Sequence, residues 1–162
     1  MLVSNTSTLV LLAKAKCLEE FINLAPPIQI PREIEREAIF EKDSYDARLI
    51  DKLIKEGKIR IIVAEKEKIK KIINAFHLDE GEAAAYSLFN PRKHKAILTD
   101  DGELIKLCKL EKIPFLCAMA IVIRLYEKKK LSREAALNKL EILNKEGRYT
   151  KELYEHFKKE VK

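Results

Sequence analysis

The sequence predicts an α/β fold in which a central, mostly parallel sheet is wrapped by helices. Three observations predict it. Short β-branched runs alternate with longer segments of helical periodicity, the pattern of strands joined by helical connections. Hydrophobic residues make up 47% and charged residues 36% of the chain, which suits a globular, highly charged protein and excludes a disordered one. No repeat, low-complexity stretch or linker interrupts the 162 residues, so a single domain over 1–162 is expected.

The elements follow in order. Leu2 to Asn5 reads as the first strand, and Ser7 as the cap of a helix through LVLLAKA. A second helix, CLEEFINLA, stops at Pro26-Pro27. The IQI strand is closed by Pro31, which also suits the first turn of the helix REIEREAIF. Asp43-Ser44 opens a helix through ARLIDKLIKEG, with Gly57 at its C-terminal cap. IRIIV, residues 59–63, is short and rich in β-branched residues, as a strand covered on both faces would be. Helices KEKIKKIINAF and DEGEAAAYSLFN come next, the latter ended by Asn90-Pro91. AILTD is a strand, DGELIKLCKLE a helix and IPFLC a final strand. Three helices remain: AIVIRLYEKK, SREAALNKLEILNKEG and TKELYEHFKKEV. In the last, Leu153, Phe157 and Val161 recur every fourth residue. That stripe either packs on its own domain or forms a dimer or partner surface.

The formal net charge of +6 permits a polyanionic partner held by salt-sensitive attraction. Cys17, Cys108 and Cys117 are an odd number, far apart and set among apolar residues. They read as buried thiols in a reducing cytoplasm. No apolar run approaches the roughly 18 residues of a membrane span, and Leu9 to Ala13 is too short for a signal peptide. The expectation is a soluble, cytoplasmic protein with no membrane partner. Abundant Lys, Glu and Ile beside four Gly and no Trp is a balance often met in proteins of heat-loving organisms, so a thermophile source is the expectation.

Oxygen-bearing side chains punctuate the chain at the ends of predicted strands and the starts of helices. Asn5 ends the first strand, Asp100 ends the fourth and is followed by Asp101, and Glu37 and Glu82 lie early in helices. Ligands of open α/β sheets bind outside the carboxyl ends of the strands. Oxygen donors gathered there suit a hard divalent cation, which points to metal-assisted chemistry on phosphate. Each acid alone also has a plainer reading. Asp79 and Glu82 fit a capping box, Asp101 fits a cap for the helix from Gly102, and Glu37 sits beside Glu33 and Glu35 as a helix-face charge. Asn5 and Asp100 directly follow apolar strand residues, where a polar group needs a local reason. Other chemistries lack their residues. His77, His94 and His156 are scattered, against zinc, and the phosphate-cradling glycine loops and the serine-hydrolase elbow are missing.

Four segments carry a family resemblance. MLVSNTSTLVLLAKAKCLEEF resembles the opening of a PIN-domain subfamily of archaea and bacteria. IPREIEREAI, LDEGEAAAYSLF and ILTDDGELIKLC resemble its three later acidic segments, in order and with sensible spacing over residues 1 to about 125. The resemblance implies a three-layer α/β/α PIN-like fold and a ribonuclease, often the toxin of a toxin–antitoxin pair. It implies Glu37, Glu82, Asp100 and Asp101 as catalytic residues, and Asn5, Glu37, Glu82 and Asp100 as ligands of Mg²⁺ or Mn²⁺. Thr6 and Ser7 are candidate substrate contacts or helix-capping groups. The implied partners are RNA, an antitoxin protein and a second copy in a homodimer. Two positions depart from the general pattern. Asn5 stands where most PIN domains have Asp, although this subfamily commonly has Asn, and Cys117-Ala118 stands where a Thr-Gly pair is usual. A catalytically silent PIN-like module that binds RNA or a protein is the alternative.

Overall fold

The structure, a computed structural model, describes residues 1–38 and 43–162, and the side chains of all of these except 36–38. The expected β-branched runs form five strands: β1 (Leu2–Ser4), β2 (Ile28–Pro31), β3 (Ile59–Ile62), β4 (Ala96–Leu98) and β5 (Phe115–Leu116). They make one sheet in the order β3-β2-β1-β4-β5, and every neighbouring pair is parallel. Successive strands step outward from β1 to β3, and β4 then returns to the other side of β1. The order therefore reverses between β1 and β4, where Leu2, Val3 and Ser4 pair with Ala96, Ile97 and Leu98. All six of these residues are buried, so the seam is enclosed on both faces.

Helices flank the sheet. Among the described residues they are α1 (Thr6–Lys14), α2 (Leu18–Leu24), α3 (Arg32–Ala38), α4 (Tyr45–Lys55), α5 (Lys66–Ala75), α6 (Glu80–Leu88), α7 (Gly102–Leu110), α8 (Ala118–Glu127), α9 (Arg133–Glu146) and α10 (Lys151–Glu160). Helix α1 packs against α2, α4, α8 and α9, and α6 lies on β1 and β2 beside α5. Leu9, Leu12 and Ala13 of α1 are fully buried, as are Ala83, Ala84 and Ala85 of α6. The small side chains of the alanine run let α6 approach the sheet closely, and α3 packs against both α1 and α6.

Several local expectations are corrected. Asn5, not Ser7, caps α1: its side-chain oxygen accepts the Thr6 N–H, so the helix begins at Thr6 and the strand ends at Ser4. Pro31 is the last residue of β2, opposite Ile62, and helix α3 starts only at Arg32. The β3 run is not covered on both faces. It is an edge strand with Arg60 exposed, and Val63 beyond its end is 69% exposed. β-Branching marks a strand but does not say where in the sheet the strand lies. The caps at Ser44 and Gly57 are as expected. Ser44 accepts the Ala47 N–H, and Gly57 takes φ +76 after α4, where its N–H bonds the Ile54 carbonyl.

Cys17 and Cys108 are buried free thiols, and Cys117 is half-buried. On α10 and just beyond it, Val161 is buried and Phe157 half-buried, while Leu153 is 38% exposed, so most of the stripe packs on its own domain. Among the described residues no helix is long and apolar enough to cross a membrane.

Candidate active site

The carboxyl ends of β1 and β4 open into a cavity of about 430 Å³. Asn5, Thr6, Ser7 and Lys14 line it from the α1 side, Asp79 and Glu82 from the start of α6, and Asp100 and Asp101 from the end of β4. Glu146, Gly147 and Arg148 close it from the turn after α9. This is the crevice at the strand-order reversal, where open parallel sheets bind ligands.

Thr99 is the knot that joins the two strand ends. Its buried hydroxyl oxygen accepts the Asn5 amide at 3.2 Å and the Asp101 N–H at 3.0 Å. The Asp100 N–H in turn bonds the Ser7 hydroxyl at 3.2 Å. Asn5 thus spends its side-chain oxygen on capping α1 and one amide hydrogen on Thr99. Ser7 serves the backbone of Asp100, and its own hydroxyl proton remains a donor.

Asp100 is clamped from three elements. The Ala118 N–H, at the start of α8, bridges both carboxylate oxygens at 2.9 Å. Thr8 of α1 donates to Oδ2 at 3.3 Å, and Tyr149 donates to Oδ1 at 2.6 Å. Burial pushes the Asp100 carboxyl above its usual range, and the bonds from Tyr149, Ala118 and Thr8 offset part of that rise. These three donors make four bonds, two on each oxygen, which occupy roughly the four acceptor directions of a carboxylate, so a ligand would have to share or displace one of them. The same surroundings push the Cys117 thiol up to about 11, through burial first and the Asp100 charge second.

Glu82 and Asp101 sit side by side, each doing double duty. Glu82 accepts the Asp79 N–H at 3.0 Å while its own N–H bonds Asp79 at 2.7 Å, completing the capping box. Asp101 caps α7 by accepting the Leu104 N–H at 2.8 Å. Burial raises the Glu82 carboxyl to about 8, helped by the Asp79 charge and by the hydrogen bond and charge of Asp101. Carboxylates brought this close share protons unless a cation compensates.

Among the sequence-predicted residues, Asn5, Glu82, Asp100, Asp101, Thr6 and Ser7 all line the one cavity. Glu37 has its backbone in α3, but its side chain lies outside the described residues. Among the described residues no three Asp, Glu, His or Cys side chains stand close enough to hold one ion together.

With that geometry in view, a sequence model described as a PIN domain matches residues 1–162. The chain belongs to the PIN-domain family. The match continues past residue 125, where the resemblance read from motifs stops, and takes in the helices that close the cavity. No curated protein and no solved structure matches the chain. The five-stranded parallel sheet with flanking helices is consistent with a PIN-like fold. Membership of the family puts the chain among domains of nuclease type.

The donor set fits the divalent ions that PIN domains typically use. It consists of carboxylate and amide oxygens without histidine or thiolate, and the Glu82 carboxyl, raised to about 8 beside Asp101, holds a proton that a bound cation would displace. On α3, one turn before Glu37, the Oε2 atom of Glu33 is buried without a hydrogen-bond partner among the described residues. Residues that motif reading missed are Thr8, Thr99, Lys14, Arg148 and Tyr149. Thr99 carries one local signal, a polar residue inside a buried strand end before Asp100. Tyr149 carries only the oddity of an aromatic in the polar turn EGRYTK.

Proposed function

We propose that this PIN domain is a metal-dependent endoribonuclease that hydrolyses RNA phosphodiester bonds and serves as the toxin of a toxin–antitoxin pair. The observation that carries the reading is the oxygen-only acidic cavity at the β1–β4 reversal, with Glu82 held against Asp101 and basic Lys14 and Arg148 on its rim. Glu82, Asp100 and Asp101, with Glu37 and Asn5 as the family resemblance implies, would hold Mg²⁺ or Mn²⁺. The bound ion would supply activation of water and stabilisation of charge on the phosphate. The protein's own part is positioning. The clamp on Asp100 presents a carboxylate whose rotamer is locked by its neighbours. Lys14 and Arg148 draw the RNA backbone to the rim without reading its sequence, and Thr6 and Ser7 line the wall that the phosphate would meet.

One observation favours a catalytically silent module instead: the Asn5 amide is already engaged with Thr6 and Thr99. One assay separates the readings. Purified protein is incubated with structured and unstructured RNA in Mg²⁺, Mn²⁺ or EDTA, beside an Asp100→Asn control for contaminating nuclease. Cleavage that needs metal and Asp100 supports the enzyme. Equal cleavage in EDTA sinks it, and an unfilled site at millimolar Mn²⁺ supports the silent module. A homodimer, and a small antitoxin encoded next to this chain, complete the proposal. A monomer by light scattering at tens of micromolar counts against the dimer.

A further inference from the structure

Helices α9 and α10 do more than cover the sheet. Lys139 of α9 donates to the carbonyl oxygens of Ala15 and Lys16 at 3.0 and 3.3 Å, so α9 is tied to the C-terminal end of α1. A cation at a helix C-terminus is favourably placed for the dipole and for the unpaired carbonyls there. The turn that follows α9 is thereby held over the cavity, where Glu146, Gly147 and Arg148 line the wall. Gly147 is extended (φ −99, ψ 179), so no left-handed conformation demands glycine. What demands it is the tyrosine two residues on. A Cβ at Gly147 would fall 2.5 Å from Cε2 of Tyr149 and 3.0 Å from the Leu143 carbonyl oxygen. Gly147 therefore leaves the space into which the Tyr149 ring folds back, and the ring carries its hydroxyl to Oδ1 of Asp100 at 2.6 Å.

We infer that Tyr149 is a positioning residue of this site: the α9–α10 turn inserts it so that its hydroxyl fixes the orientation of the Asp100 carboxylate. The inference rests on the metal-site reading above. The Ala118 N–H bridges both carboxylate oxygens and resists their rotation weakly, whereas Thr8 and Tyr149 pull on opposite oxygens and define the carboxylate plane. Removing the shorter of these two bonds lets the group turn. Partners that orient a metal-ligating carboxylate are typically worth about 10- to 100-fold in metal affinity or activity.

The test uses the full chain and Mn²⁺ alone as the probe, followed by RNA kinetics. Tyr149→Phe removes one oxygen atom and keeps the ring. It is expected to weaken Mn²⁺ binding, measured by calorimetry without RNA, by roughly 10-fold or more. It is also expected to lower kcat while leaving KM for RNA unchanged. Gly147→Ala, which pushes the ring away, should reproduce both effects although it leaves the hydroxyl in the sequence. Val161→Ala, at a buried position beyond α10, lowers stability without touching the cavity and should keep wild-type Mn²⁺ affinity. If Glu82→Gln loses Mn²⁺ binding while Tyr149→Phe binds and turns over like wild type, the inference is overturned and the metal site stands. Loss of affinity in Val161→Ala equal to that in Tyr149→Phe reduces Tyr149 to a stabilising role and also overturns it. Wild-type protein that binds no Mn²⁺ removes the metal reading and the inference together.

Discussion

The side-chain amide of Asn5, where β1 ends, donates to the hydroxyl of Thr99, where β4 ends, at 3.2 Å. This bond joins the two strands at the point where the sheet order reverses, and Asn5 is only 4% exposed. A neutral amide suits that place because Asp100 and Asp101 follow directly on the other strand, and a third buried acid would need a counter-charge. Asn5→Asp preserves the cap, since Asp is as good as Asn at that position. Thr99 can turn its own proton toward the new carboxylate. The expected outcome is therefore a lower Tm in EDTA and a higher Mn²⁺ affinity. A unit charge within about 4 Å of a cation is worth several kcal/mol even at an effective dielectric of about 20, so the gain should be at least tenfold. An unchanged affinity, with the Tm lowered, would place the cation away from Asn5.

Asp100→Asn tests the other strand end. The amide keeps the carboxylate's shape, its oxygen can accept the Ala118 N–H, and its NH₂ can donate to the Thr8 or Tyr149 hydroxyl. Burial already disfavours the charged form of Asp100, so a neutral replacement costs the fold little. The expected result is loss of Mn²⁺-dependent RNA cleavage with a Tm in EDTA unchanged or raised. A variant that retains full activity refutes the proposed mechanism.

These two residues also mark how far the sequence could be read. Asn5 and Asp100 stood out because a polar group directly after buried strand residues requires a local partner, and the partners exist in Thr6, Thr99, Ser7 and Ala118. The Asp79–Glu82 box was legible because capping is a contact three residues apart. The strands were legible as β-branched runs, but the order was not: nothing within IRIIV says that β3 lies on an edge and β1 in the middle. Thr8 and Tyr149 reach Asp100 from 92 and 49 residues away, and no local pattern encodes such contacts. Glu37, read from motif resemblance, has a side chain outside the described residues, so its meeting with Glu82 is untouched by this geometry.

The acid pair makes stability depend on pH in a direction opposite to that of most carboxylates. Glu82 binds its proton more tightly in the folded protein, with a value of about 8 against an ordinary 4.5. Such a group contributes its full stability below 4.5 and loses it as pH rises through about 8. Asp100 shifts in the same sense. In EDTA, Tm should therefore fall as pH is raised across this window. Glu82→Gln should flatten the fall, because Gln at the third helical position still completes the capping box with Asp79. Mn²⁺ affinity should rise across the same window, since its ligands must be deprotonated. A Glu82→Gln variant whose Tm profile matches wild type would show that another group governs the slope.

The rim supplies the last test. Lys14 and Arg148 both line the cavity mouth, but they are not equivalent. Lys14 stands 3.6 Å from Glu146, with both side chains nearly half exposed, so its charge is partly compensated. Arg148 is exposed beside the acids and offers the planar, forked donor set that matches a phosphate's oxygens. Each phosphate neutralised on single-stranded RNA lowers the slope of log K against log[salt] by about 0.7. Arg148→Ala should therefore weaken binding of catalytically inert Asp100→Asn protein to a single-stranded RNA and make the slope shallower by about 0.7. Lys14→Ala should change it less, because the Lys14 charge is already partly compensated by Glu146 and so neutralises less of a phosphate. Binding measured by fluorescence anisotropy at four or more salt concentrations gives both slopes. Equal slopes for wild-type rim, Arg148→Ala and Lys14→Ala would mean that the RNA backbone approaches the acids from another side. A shallower slope in Arg148→Ala alone identifies the α9–α10 turn as the entry edge. The element that steadies Asp100 through Tyr149 would then also receive the phosphate, one residue earlier in the chain.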